Sequence, residues 1–325
     1  MLPSFAYARP TTLAEAVAAL ADGQARVHAG GTDILGCLRD GVFTTPTVVS
    51  LSAVSALRGI DSTPEGGLRI GALATLTEVA ESETVRARYR ALAEAAASVA
   101  SPQLRNQGTL GGNLCQKPRC WYYRGDLHCL RKGGDTCFAV AGVNRYHCLF
   151  GGESCFIVHP SDTAPALVAF GAAVRIVGPG GTRAVPVEAF HVLPSVDPHR
   201  ETVLEPGEVV AEIVLPPPAS GLRSTYRKVR ARASWDFALV GAALALRVAG
   251  DVVREARVVL AGVAPTPWRA KAVEAALTGH RLDPATIERA AAAAVKGAQP
   301  LAQNGYKVPL VRGLLEERLQ AIARA

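Results

Sequence analysis

The chain has 325 residues, 49% of them hydrophobic, and a formal charge of +7. That length suits two or three domains with separate cores, and no apolar run nears the roughly 20 residues of a membrane span. The basic residues are scattered without a block of like charge and aromatics are only 6%, which argues against nucleic-acid binding. The first ten residues, MLPSFAYARP, lack the charged start and apolar core of a secretory signal. A cytoplasmic chain is expected, in which thiols are free or metal-bound rather than paired in disulfides.

Residues 11–21 predict a short helix with a threonine cap and Leu13, Ala16, Val17 and Leu20 at helical spacing. A strand over 25–29 then runs into Ala29-Gly30-Gly31-Thr32-Asp33-Ile34. Two glycines in series let backbone N–H groups face an anion, and Thr32 adds a hydroxyl. A pyrophosphate cradle and a plain strand-to-helix turn capped by Asp33 both satisfy this motif. It is not G-x-G-x-x-G, so no Rossmann domain is indicated. Strands follow at 47–51 and 68–70, and one helical region is predicted over 77–99. Next, Gly108, Thr109, Gly111, Gly112 and Asn113 form a second stretch of bare backbone and small polar groups, read as a loop. Two such stretches without a Rossmann pattern point to one extended, phosphate-bearing cofactor.

Six of the seven cysteines then fall between residues 115 and 155, at Cys115, Cys120, Cys129, Cys137, Cys148 and Cys155. A stapled loop, a zinc site and an iron–sulfur centre compete for them. Most zinc sites draw on paired C-x2–4-C knuckles, and here only Cys115-x4-Cys120 comes near, at the upper limit of that spacing and with no second pair. His128 and His147 are the additional ligands a zinc reading would recruit. Cys148 lies in an apolar segment and Cys37 stands alone, and both read as packing thiols.

After the cysteines, a strand, a polar turn over 159–162, a helix and another strand are predicted. Asp162 is either a ribose acceptor or the cap of that helix. Short strands alternate with turns over 174–215, and the Pro216–Pro218 run reads as a linker. The last third carries Arg223, Arg227, Lys228, Arg230 and Arg232 ahead of an apolar stretch, then a strand over 256–261. Helices are predicted over about 269–277, 284–297 and 309–323.

With GGTD, RNQGTLGGN, HPSD and YRKVRARASWDFALV in that order, the chain resembles the flavoprotein subunits of the molybdenum hydroxylases over essentially its whole length. The resemblance implies an α+β, non-Rossmann FAD-binding fold of two subdomains. It divides the chain into an FAD-binding domain over 1–215 (subdomains about 1–55 and 56–215) and a smaller α+β C-terminal domain over 220–325. It places Ala29, Gly30, Gly31, Thr32, Asp33 and Ile34 in a first pyrophosphate loop and Thr109, Gly112 and Asn113 in a second. Asp162 falls at the adenosine side and Lys228 near the flavin, where its charge would favour the reduced anion.

The insertion over 114–156 is similar to that of aldehyde oxidoreductase flavoprotein subunits and of 4-hydroxybenzoyl-CoA reductase, and implies a 4Fe–4S cluster. Cys120, Cys129, Cys137 and Cys155 match the ligands, with Cys115 in reserve. Six cations in the insertion against three acids suit a negatively charged cluster. The implied partners are a large molybdenum-cofactor subunit and a small 2Fe–2S subunit, in a heterotrimer or its dimer, with an external electron acceptor. A partner's export signal would make the periplasm the second compartment.

Overall fold

The computed structural model describes residues 1–324. The chain opens with β1 (Ala6–Ala8), α1 (Leu13–Ala19), β2 (Arg26–His28), α2 (Ile34–Arg39) and β3 (Thr47–Ser50). Thr12 and Glu15 close a reciprocal capping box on α1, satisfying donors the helix itself cannot. The strands form a parallel sheet in the order β1-β3-β2. Parallel neighbours need crossovers, and the short helices supply them. Ala16, Leu20, Val49, Leu51 and Leu57 share its core.

The second unit begins with β4 (Ile60–Ser62) and β5 (Leu68–Gly71), followed by α3 (Leu76–Glu81), α4 (Glu83–Arg88) and α5 (Arg90–Ser98). The single helix expected over 77–99 is therefore three. Ser82 leaves helical geometry to accept the Val85 N–H, and Tyr89, at φ −135°, turns the chain again. A serine hydroxyl competing for backbone donors favours a cap over a helix interior. Then come α6 (Pro102–Gln107), α7 (Leu110–Cys115), α8 (Trp121–Arg124), α9 (Thr163–Ala169), β6 (Ala173–Gly178), β7 (Gly181–Pro186) and β8 (Val209–Leu215). The five strands lie antiparallel in the order β4-β5-β8-β6-β7. No strand forms immediately before α9: residues 155–158 join no sheet, and isolated bonds hold the segment, such as the Cys148 N–H to the Phe156 carbonyl and the His159 N–H to the Ala264 carbonyl.

The remainder is an antiparallel sheet, β9 (Leu222–Val229), β10 (Val240–Ala249), β11 (Val252–Ala261) and β12 (Trp268–Arg269), followed by α10 (Lys271–Leu277), α11 (Pro284–Ala293) and α12 (Lys307–Arg324). Side chains alternate across β10. Ala242, Leu244 and Leu246 pack in one core with residues of α10–α12, while the smaller Ala243 and Ala245 join the core shared with α5 and α9. Both faces of this sheet are thus covered, which explains why the sequence of β10 is apolar without a polar face. No helix among the described residues is long and apolar enough to cross a membrane.

Candidate functional site

Between β2 and α2 the backbone turns through Gly30 and Gly31, the latter at φ +75°. A Cβ on Gly30 would lie 1.9 Å from the Gln107 carbonyl oxygen, so only glycine lets this turn meet the α6–α7 junction. Among the described residues, the N–H groups of Gly30, Gly31, Thr32, Asp33 and Ile34 meet no protein acceptor. Such a run of free donors is chemically an anion site.

The second glycine stretch is not a bare loop. Gly111, Gly112 and Asn113 lie inside α7, with Thr109 as its cap. The Leu110 and Gly111 N–H groups donate to the Ala74 and Ala72 carbonyls, and the Gly112 N–H to the Thr109 hydroxyl at 3.1 Å. These glycines permit close packing: a Cβ on Gly111 would stand 2.8 Å from that of Ala72. Asn113 Oδ1 accepts from Ser161 and Thr163 at 2.5 and 2.7 Å, tying α7 to the start of α9.

A cavity of about 180 Å3 between residues 29–34 and α7 joins one of about 390 Å3 lined by Thr109, Asn113, Asp162 and Lys228. Thr32, Asp33, Thr109, Gly112 and Gln116 line both, so they form one cleft. The larger cavity continues past Arg119, Pro160 and Asp162 into a third, of about 420 Å3, bounded by Trp121, Tyr146 and His147.

Neither aspartate does what a helix cap does. Asp33 makes no capping bond; it accepts from the Lys117 N–H and from Arg124 Nη2, each at 2.7 Å, with Arg119 at 3.0 Å. It anchors the base of the cysteine insertion. Asp162 sits at the cap position of α9 without capping it, and Ser161 accepts the Ala164 N–H instead. Asp162 bonds Lys228 Nζ and the Tyr226 hydroxyl, both at 2.7 Å. Tyr226 and Lys228, two apart on β9, present one face, and a Cβ on Gly241, the cross-strand partner of Lys228, would stand 2.9 Å from the Tyr226 hydroxyl. The Asp162 carboxyl is raised by burial, against the pull of Lys228 and Tyr226.

This arrangement bears on two expectations. Asp162 and Lys228 touch, so they face the same part of the cleft. Lys228 is not a free positive charge, since its side chain is 2% exposed and paired with Asp162.

The cysteine insertion closes on itself. Cys120, Cys129, Cys137 and Cys155 all line one small cavity of about 10 Å3, together with His147, Tyr123 and Arg131. Cys115 lies apart, in the wall of the glycine cleft, and so is separated from the ring it was held in reserve for. A hydrogen bond from Cys155 lowers the Cys137 thiol to about 6, while burial raises Cys120 to about 11. Cys148 is buried and raised to about 12, and burial also raises Cys37, to about 11. Among the described residues no three His, Cys, Asp or Glu converge where one metal ion would sit. The thiols ring a space rather than meeting at a point.

Four of the six cations of the insertion, Lys117, Arg119, Arg124 and Arg131, are tethered to acids outside it. Arg131, 1% exposed at its side chain, forks onto Glu201 and also donates to the Pro198 and Arg200 carbonyls. Lys117 pairs with the same Glu201. Counting charge within the insertion misses Asp33 and Glu201, acids far away in sequence that face these cations. Sequence reasoning also missed Glu201 and Lys307. The Lys307 ammonium, buried and lowered to about 7 by desolvation, donates to the Tyr146, His147 and Gly262 carbonyls at 2.7–3.0 Å. Neither residue sits in a motif, so no sequence signal marks it.

Residues 3–218 match the family described as the FAD binding domain in molybdopterin dehydrogenase, and residues 224–322 the CO dehydrogenase flavoprotein C-terminal domain. The chain is 38% identical to the aldehyde oxidoreductase FAD-binding subunit PaoB of Escherichia coli K12, over 100% of this chain and 99% of that protein. It is 28% identical to the carbon monoxide dehydrogenase medium chain of Hydrogenophaga pseudoflava, covering 98% and 97%. Among solved structures, reconstituted CO dehydrogenase from Oligotropha carboxidovorans superposes with a TM-score of 0.80 at 26% identity, covering 100% of both chains.

Proposed function

The chain belongs to the FAD-binding subunits of the molybdenum hydroxylases, and from that membership we propose that it passes electrons from partner 2Fe–2S clusters to FAD and on to an external acceptor. The observation that carries this reading is the row of five unpartnered N–H groups at residues 30–34, facing a cleft that continues to the buried Asp162–Lys228 pair. A diphosphate needs such donors, and glycine is required where they lie. FAD, when bound, collects electrons singly and releases them in pairs. Residues 30–34 would hold its diphosphate through backbone donors. Thr109 and Gly112 shape the opposite wall, and Asn113 fixes that wall to α9. Asp162 and Lys228 act as one dipolar unit against a single part of the cofactor, with the lysine's charge largely offset. The same reading divides the chain into an FAD-binding domain over 1–215, with the insertion over 114–156, and a C-terminal domain over 220–325.

Cys120, Cys129, Cys137 and Cys155 are assigned as the four ligands of a 4Fe–4S cluster. A ring of thiols about a cavity suits a multi-iron core, each iron taking one thiolate. The cavity is small with Cys137 and Cys155 hydrogen-bonded to each other, and a cluster would require the ring to widen. Leu127, Val140, Val143 and Tyr146 on the insertion are exposed. An apolar surface of this kind supports a position against another subunit. The subunits implied are a large molybdenum-cofactor subunit and a small 2Fe–2S subunit.

Anaerobic purification with flavin, iron, zinc and acid-labile sulfide measured on one sample tests both assignments. About four irons and four sulfides with one FAD per chain is the expected result. FAD with zinc and no sulfide would retain the flavin assignment and remove the cluster. Folded protein with neither flavin nor sulfide, even after incubation with FAD, would remove both.

A further inference from the structure

One side chain lies in the wall between the thiol ring and the cleft. His147 borders both the small cavity of the four cysteines and the 420 Å3 cavity that opens toward Asp162, and so does Cys120. His147 Nε2 stands 3.3 Å from Cys120 Sγ. The residue is 4% exposed and its Nδ1 has no hydrogen-bond partner among the described residues. Its position is fixed from several directions. Asn304 Nδ2 and Lys307 Nζ both donate to its backbone carbonyl at 3.0 Å, and its ring packs against Trp121 and Tyr122 with centroids 5.7 and 6.1 Å away.

A thiolate bound to iron offers only lone pairs, so the ring nitrogen facing it must carry the proton. We propose that His147 is a positioning residue that donates its Nε2–H to the Cys120 thiolate and thereby raises the reduction potential of the cluster held by the four cysteines. The inference rests on the cluster assignment above. An N–H bond to sulfur stabilises the added negative charge of the reduced core, and cluster potentials respond to such bonds. Asn304, just before α12, and Lys307, its first residue, hold the backbone that carries the donor without touching the sulfur. The C-terminal domain thus acts on a centre built in the insertion of the domain before it.

The test is an EPR-monitored redox titration of the full chain, purified anaerobically, as wild type, His147→Leu and His147→Gln. Leucine has no donor and glutamine keeps an N–H. At a given potential the reduced-to-oxidised ratio of the His147→Leu cluster should fall about tenfold, equivalent to about 59 mV for one electron, with the glutamine variant lying near wild type. An unchanged midpoint in His147→Leu, at undiminished iron and sulfide, overturns the role of His147 while leaving the cluster in place. So does an equal shift in both variants, which would mark a packing effect. If His147→Leu does not retain iron, the wild type alone decides. After exchange into D2O, pulsed EPR of the reduced cluster should show a strongly coupled deuteron that His147→Gln alters, and its absence overturns the inference. Wild-type protein without iron and sulfide removes the cluster assignment, and this inference with it.

Discussion

Gly30 carries more of the site than its size suggests. Its backbone N–H belongs to the free donor row, and its missing side chain lets the Gln107 carbonyl pass within what would be 1.9 Å of a Cβ. Gly30→Ala should therefore push the two walls of the cleft apart. The expected cost is about 1–3 kcal/mol of stability, as for other forced overpacking, together with flavin content well below one per chain. Denaturant unfolding and the flavin absorbance of the purified variant check the two separately. Sequence reading reached this residue and its neighbours because a glycine pair after a strand has few other uses. It read Gly111 as a loop glycine, since a helix-start glycine packed on Ala72 and a loop glycine facing a ligand look alike in sequence, whereas Gly112 lines the cleft. Asp33 and Asp162 stood out in the sequence by their place in two motifs, but their partners did not. Each is neutralised by a cation at least 66 positions away in the chain, and no local pattern records such a pairing.

At the level of elements, the segment after β7 is joined to α7 by a pair of buried histidines. His191 Nε2–H donates to the Leu114 carbonyl at 3.1 Å, and its ring lies 4.1 Å from that of His159. Burial lowers His191 to about 4 and holds His159 well below its ordinary value, with the neighbouring ring adding to the effect. Both are neutral in the fold and take up protons readily only when it opens. The unfolded chain thus binds more protons between about pH 4 and 6.5, so stability is fully present above that window and is lost as pH falls through it. The depression of His191 corresponds to about 3 kcal/mol. Urea midpoints measured from pH 7 to pH 4.5 should decline, and His191→Gln should flatten the decline. Flanking polarity in the sequence gave no warning of this pair, because two histidines 32 positions apart become neighbours only when α9 and the segment after β7 pack together. The helix expected over 77–99 failed for a related reason. Its composition is helical throughout, but Ser82 spends its hydroxyl on a cap and the Tyr89 hydroxyl reaches the Pro216 carbonyl at 2.7 Å.

Across the whole molecule, the insertion is fastened by ion pairs rather than by its thiols. Asp33 on the first unit holds Arg124 and Arg119, Glu201 holds Arg131 and Lys117, and Lys307 of the C-terminal domain grips residues 146 and 147 from the other side. Cys129→Ser should therefore lose iron and sulfide while keeping one FAD per chain and an unchanged far-ultraviolet circular dichroism spectrum. Loss of flavin along with the iron would mean that the cluster, and not these pairs, holds the cleft together. The sequence by itself determined the α+β class, the family, the glycine turn at residues 30–31 and the set of four cysteines that line one cavity, because each is written in local order and spacing. Only the tertiary structure decided that Asp162 and Lys228 neutralise each other, that Cys115 stands outside the ring, and that His147 faces Cys120. Those are contacts between residues tens to hundreds of positions apart, or of one side chain's direction against another's, and they exist only once three cores have packed around the cleft.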